Sequence, residues 1–285
     1  MSWIWKFGVA ICAAWGMGLA LGQSVQSQLI DLDLGRTEGL FTASPVSIRA
    51  LALNSARTPS SGTALLWFRG WPGVAQIKDA DDWRLRNNLN FFSKSIDEVL
   101  DAGLTLVLMD CPSDQGGVSG GNPQRCNDTY RQSAQHAGDV RRVMAHLRDK
   151  HGISRFFIIG HSYGTVSSRW LAIHLGDDIQ GSIHSATMTG NNHSPGGQHS
   201  TSIPRIDMGK VKTPYVYLHN EDDQCRSTSY STVKSIAGER LITLKGGEPT
   251  GDVCGGRHYH SYAGIELQAA RAVVKWVQEQ SPPAR

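Results

Sequence analysis

The sequence predicts an α/β fold: a mostly parallel central sheet of about eight strands, with helices on both faces and no large cap domain. Three observations predict it. Short apolar runs recur without polar alternation, as they do in strands covered on both faces. Segments with helical spacing separate them, and strands alternating with helices mean a parallel sheet. The 285 residues, 40% hydrophobic and 19% charged, show no linker, internal repeat or low-complexity tract. Residues 23–285 are therefore read as one globular domain.

Residues 1–22 stand apart. Lys6 is their only charged residue, an apolar run extends from Phe7 to Leu21, and Ala20 and Gly22 are small where a signal peptidase prefers them. The run of about 15 residues falls short of the roughly 20 that span a bilayer. It reads as a signal peptide cleaved before Gln23, leaving no stable membrane anchor and a periplasmic or secreted protein. Ile11 before Cys12 argues against lipoprotein acylation.

Leu29 to Leu34 and Val46 to Leu53 read as two opening strands, and Thr63 to Phe68 as a third that ends in Arg69-Gly70-Trp71-Pro72-Gly73. A helix around Ser95 to Asp101 is stopped by Gly103, and the buried strand Leu104 to Met109 follows. After a Cys-, Gly- and Asn-rich loop (Cys111 to Asn127), Val140, Val143, Met144 and Leu147 mark one face of a helix over about Ser133 to Lys150. Then come a strand (Arg155 to Ile159), a helix (Ser162 to His174) and a strand (Ile179 to Ser185). After a long loop the pattern resumes with the strand Tyr215 to Leu218, a helix near Ser227, the strand Leu241 to Leu244 and a last helix over about Ala263 to Glu279. In such sheets the chemistry sits beyond the carboxyl ends of the strands.

Composition excludes some functions. The chain carries 28 basic and 25 acidic residues, and the basic ones are scattered rather than clustered to track phosphates, so nucleic acid is not an expected partner. Export leaves Cys111, Cys126, Cys225 and Cys254, an even count that reads as two disulfides with three connectivities. No C-x-x-C spacing suggests a metal ribbon or redox motif, and the His258-Tyr259-His260 pair lacks a third ligand at convincing spacing. No metal or other cofactor is expected.

Gly160-His161-Ser162-Tyr163-Gly164 matches G-x-S-x-G. The apolar strand Phe156 to Ile159 enters it and a helix-compatible segment leaves it, the strand–turn–helix that lifts a serine hydroxyl above a sheet. The helix start also favours developing negative charge there. Such a serine needs a base, and the base an orienting carboxylate, in the chain order Ser, acid, His. The acids Glu221, Asp222 and Asp223 follow one strand, and His258 and His260 follow the last. A tetrahedral oxyanion needs N–H donors: the backbone of Tyr163 supplies one, and that of Trp71, in the loop after the third strand, the second.

With these pieces in place the chain resembles the α/β-hydrolase superfamily over nearly all of its mature length. It is similar to a bacterial branch of exported, lidless hydrolases. The matching pieces are Asn90-Phe91, Asp110 to Asp114, Arg131-x-Ser133-x-x-His136-x-x-Asp139, His219 to Cys225 and His260-Ser261-Tyr262-x-Gly264-x-Glu266. The resemblance implies Asp223 over Asp222 and His260 over His258. Two departures stand out: Arg69-Gly70 where many members have His-Gly, and Ser261 where similar sequences have Gly.

The resemblance implies a serine hydrolase acting on esters through an acyl-enzyme on Ser162, its partner a small-molecule or accessible polymeric ester. An amidase or peptidase with the same residues, or a silent hydrolase fold used for binding, are the alternatives; oligomeric state stays open. The disulfides are expected as Cys111–Cys126, closing a local loop, and Cys225–Cys254, on the loops that Asp223 and His260 bring together. The site is expected to be open, walled by Thr187 to Thr213 and by Trp71 to Asn90, with Trp71, Trp83 and Asn90 facing substrate.

Overall fold

The structure, a computed structural model, describes residues 24–39, 43–84, 89–118, 121–190 and 206–280. The expected signal peptide and its cleavage point lie outside the described residues.

Eight strands form one sheet: β1 (Val25–Glu38), β2 (Ser44–Ser55), β3 (Thr63–Phe68), β4 (Leu104–Pro112), β5 (Arg155–His161), β6 (Gly181–Ser185), β7 (Tyr215–Asn220) and β8 (Leu241–Leu244). Their spatial order is β1-β2-β4-β3-β5-β6-β7-β8. β1 and β2 pair antiparallel, as do β2 and β4, and every other pairing is parallel. The order reverses at β3, so the crevice beyond its carboxyl end is where such a sheet binds ligands.

The helices are α1 (Ile96–Asp101), α2 (Asp128–Arg131), α3 (Ala134–His151), α4 (Gly164–Leu175), α5 (Tyr230–Ala237) and α6 (Glu266–Glu279). β3 is buried at all six positions, because alternate side chains enter two separate cores. Leu65 and Trp67 pack with Phe91 and Phe92, with Val99 of α1 and with Val273 and Val277 of α6. Ala64, Leu66 and Phe68 pack on the other face with Val140, Val143 and Leu147 of α3 and Leu171 of α4. Burial on both faces is what an unalternating apolar run requires. α3 begins where the Ser133 hydroxyl accepts the His136 N–H at 3.1 Å and ends at Gly152, whose φ of +65° closes the helix.

Most strands extend a few residues past the apolar runs read from the sequence, α5 lies at Tyr230–Ala237 rather than at Ser227, and three further boundaries differ for physical reasons. β1 has 14 residues, eight more than the apolar stretch from Leu29 to Leu34, because as an edge strand it mostly alternates half-buried with exposed positions. α4 starts at Gly164 rather than Ser162, since Ser162 itself forms the turn. α6 starts at Glu266, after a left-handed Tyr262 and Gly264.

Candidate active site

The turn after β5 is built to expose one hydroxyl. Ser162 has φ +52°, a left-handed conformation costing an L-residue roughly 1–2 kcal/mol. Neighbours hold it there: its N–H donates to the Ser185 carbonyl at 2.9 Å, and its own carbonyl accepts the Thr165 hydroxyl at 2.6 Å. A Cβ on Gly160 would collide with the Gly164 carbonyl, and one on Gly164 with the Phe68 carbonyl. Both glycines of the motif are thus required by close backbone approach.

Asp223, beyond β7, and His260, beyond β8, meet. Asp223 Oδ2 lies 3.0 Å from His260 Nδ1 and 3.1 Å from His219 Nε2, and accepts the Thr228 hydroxyl at 3.0 Å. Its Oδ1 accepts the Cys225 N–H at 2.9 Å. The Thr228 oxygen also sits 3.1 Å from His260 Nδ1. Burial works to raise the Asp223 pKa, but the charge of His260 and the hydrogen bonds of both histidines outweigh it and hold the carboxyl well below its ordinary range. Asp222 is occupied elsewhere, accepting the Gly246 N–H at 2.8 Å. His161, behind His260 with ring centroids 5.1 Å apart, is fully buried; burial and then His260 hold it well below the usual imidazole range, so it stays neutral.

Ser162 and His260 line one cavity of about 280 Å³, together with Trp71, Asn90, Tyr163 and Met188. The loop after β3 passes close behind the serine, where a Cβ on Gly70 would lie 3.3 Å from Ser162 Cβ. Trp71 is 46% exposed at the mouth, its ring against Tyr163 at 5.8 Å. Asn90 has φ +50°, and its Oδ1 is buried without a hydrogen-bond partner among the described residues, an orphan acceptor at the cavity wall.

Trp83 is a correction. It does not line the cavity but packs in the core with Ile77, Leu89 and Ile96, with the Arg84 guanidinium 4.3 Å from its ring centroid. An aromatic payload of that size is more stably buried than left facing solvent. Of the expected walls, Trp71, Asn90 and Met188 stand at the cavity, while residues 85–88 and 191–205 lie outside the described ones.

Both disulfides pair as expected, Cys111 with Cys126 and Cys225 with Cys254. The second lines the cavity alongside Asp252, Gly255 and Gly256. Arg131, singled out only through the resemblance, is 1% exposed and ties three parts together. Its guanidinium donates to the Gly73 carbonyl at 2.8 Å, the Ser167 hydroxyl at 2.7 Å and the Cys126 carbonyl at 2.9 Å, and lies 4.8 Å from the Tyr163 ring centroid. Two other resembling positions, Asp114 and Asp139, share Arg36. Thr228 was not legible as a site residue, because no local motif marks it.

The family model described as the alpha/beta hydrolase fold matches residues 63–225, more than half of the chain, and the chain belongs to that family. No curated protein matches it. Among solved structures it is similar to a cold-adapted esterase from an Arctic intertidal metagenomic library, at 12% identity and TM-score 0.57, covering 91% of this chain and 96% of that one. It is similar to Est1E from Butyrivibrio proteoclasticus with ferulic acid bound, at 13% identity and TM-score 0.57, covering 82% and 96%. A serine hydrolase without lid from Xanthomonas campestris aligns at 14% identity and TM-score 0.53, covering 91% and 97%. These likenesses carry the fold; membership of the family supports a hydrolase. Among the described residues, no helix is long and apolar enough to cross a membrane.

Proposed function

We propose that the chain is an exported serine hydrolase that cleaves carboxylic esters, with Ser162 as nucleophile, His260 as base and Asp223 as the carboxylate that orients it. The observation that carries the reading is Ser162, held left-handed at a strand–helix turn, facing the cavity that His260 also lines while His260 Nδ1 bonds a buried Asp223.

In this reading Ser162 Oγ attacks the acyl carbon and its proton passes to His260 Nε2. The bond to the alcohol oxygen breaks, and His260 returns the proton to that oxygen as the alcohol leaves. Water then adds to the acyl-enzyme by the same route, its proton going through His260 to Ser162 Oγ as the acid departs. With Nδ1 committed to Asp223, the imidazole keeps Nε2 for this exchange. The carboxylate stays ionised and stabilises the imidazolium. The backbone N–H groups of Tyr163 and Trp71 are the proposed oxyanion donors, and Asn90 the side chain that meets substrate. The disulfide-bonded loops agree with an oxidising compartment, and export would remove residues 1–22.

A fluorophosphonate probe tests the assembly: it should label the protein at Ser162 and leave Ser162→Ala and His260→Ala unlabelled. Labelling of a different residue would overturn the reading. Matched ester and amide substrates then separate an esterase from an amidase, and the expectation is turnover of the ester.

A further inference from the structure

A second cavity, of about 210 Å³, adjoins the first and shares Met188 with it. Its wall is mostly apolar, with Ile206, Met208 and Ile236, but Arg169 and Tyr217 also reach it. Arg169 lies on α4, seven residues past Ser162, and is 4% exposed. Its Nε is buried without a partner, and among the described residues its guanidinium takes part in no ion pair. Among the described residues, no Asp or Glu lines the cavity.

Arg131 shows how unusual that is. It is buried as deeply, yet carbonyls of Gly73 and Cys126 and a serine hydroxyl receive its donors. A buried guanidinium whose Nε lacks an acceptor and that has no carboxylate beside it is costly to a fold, and a charge kept in that state points to a ligand that completes it. Burial lowers the pKa of Arg169, opposed by Tyr217 and Tyr215, but an arginine stays protonated at any working pH. Burial raises the Tyr217 pKa, so its hydroxyl stays a donor.

We propose that this cavity is a substrate subsite for a carboxylate, held by Arg169 while the scissile ester of the same molecule lies at Ser162. The proposal rests on the serine-hydrolase reading above. A single planar guanidinium matches a carboxylate with two parallel hydrogen bonds, whereas a phosphate dianion would keep one charge without a partner. The remaining wall suits a short hydrocarbon spacer. The partition between the cavities belongs to the nucleophile's own turn: the Met188 N–H donates to the Thr165 hydroxyl at 3.1 Å, and that hydroxyl donates to the Ser162 carbonyl. The substrate class is therefore an ester with an anionic end, either the half-ester of a short dicarboxylic acid or an ester of a carboxylate-bearing alcohol.

The test compares 4-nitrophenyl hemisuccinate with 4-nitrophenyl butyrate, and 4-carboxyphenyl acetate with phenyl acetate. In one pair at least, the ratio of kcat/KM, anionic over neutral, should favour the anionic ester. Arg169→Met should lower that ratio about 10- to 100-fold, the range of a lost hydrogen bond to a charged group, and Arg169→Lys should retain part of it. An equal ratio in wild type and Arg169→Lys, on both pairs, overturns the subsite even if Arg169→Met does not fold. Binding of monoethyl succinate to Ser162→Ala by calorimetry is read separately. It should be present, and tenfold or more weaker in Ser162→Ala combined with Arg169→Lys or Arg169→Met. If no ester is cleaved but this Arg169-dependent binding is found, the hydrolase reading fails and the subsite stands. If esters are cleaved with neither preference nor binding, the subsite fails and the hydrolase reading stands.

Discussion

Replacing Cys225 and Cys254 together by alanine removes the covalent tie between the loop that carries Asp223 and the loop that carries His260. The bridge closes a separation of 29 residues. In the chain-entropy account that restriction of the unfolded chain is worth about 3.6 kcal/mol at 25 °C, against about 3.0 kcal/mol for the 15-residue separation of Cys111–Cys126. Cys225 is 3% exposed, so truncation adds a small cavity, worth on the order of 1 kcal/mol. The double variant should therefore unfold at a lower denaturant concentration, with a loss of about 3–5 kcal/mol read by urea titration of oxidised protein. Its kcat on a short-chain 4-nitrophenyl ester should fall more than its KM rises, because the acid–base register loosens while the rest of the cavity stays. A loss under about 1 kcal/mol with unchanged kcat would refute the reasoning. It would mean that the hydrogen bonds of Asp223 fix the two loops without the bridge.

Ser162→Gly and Ser162→Ala should both be inactive, but the glycine variant should be the more stable by up to about 1 kcal/mol: relief of a left-handed residue offsets the added chain entropy of glycine. Chemical denaturation of the pair checks this, and a more stable Ser162→Ala would remove the case for backbone strain. Thr228→Val should lower kcat about tenfold with little change in KM, and Thr228→Ser should restore it; full activity in the valine variant would show that the hydroxyl adds nothing to the Asp223–His260 pair. Asp110 accepts the N–H groups of Ala75, Ile77 and Cys111, and burial raises its pKa from 3.8 to about 6 against those bonds. The folded state thus binds this proton more tightly, so the associated stability is full below about pH 4 and is lost as pH rises through about 6, a change of about 3 kcal/mol. Between pH 4 and 7 the unfolding free energy of wild type should fall by that amount relative to Asp110→Asn, and parallel curves would contradict it.

What the sequence made legible was what local physics decides. Thr63 to Phe68 and Leu241 to Leu244 were bounded to the residue, since a turn or glycine closes each end. The ends of β1 are not legible, because Gln26, Gln28, Asp31 and Asp33 on an edge strand look like loop until the pairing with β2 is known. The sequence motif places the start of α4 at Ser162 because it does not show backbone sign, and a φ of +52° keeps that residue out of the helix. The meeting of Asp223 with His260 followed the order of strands and the superfamily resemblance. Thr228 and Arg131 act through contacts between elements far apart in the chain, and nothing in their immediate neighbours announces it. Trp83 reads from sequence as a cavity residue because it is an aromatic near a substrate-facing loop, but the three-dimensional packing gives that ring to the core.

Arg131 gives the cavity two rims with different histories open to them. On one side, a change in the loop from Gly70 to Gly73 disturbs Arg131, and through it α4 at Ser167 and the Cys126 carbonyl. Drift there is penalised at several places at once. On the other side, Asp252, Cys254 and Gly256 are exposed, and their loop is anchored mainly through the Cys225 bridge. Lineages of this protein can lengthen, shorten or recolour that second rim while the nucleophile's surroundings stay fixed. Libraries aimed at new acyl or alcohol groups belong at residues 249–253 and 255–257, with Cys254 kept, where variation can accumulate without rebuilding the centre.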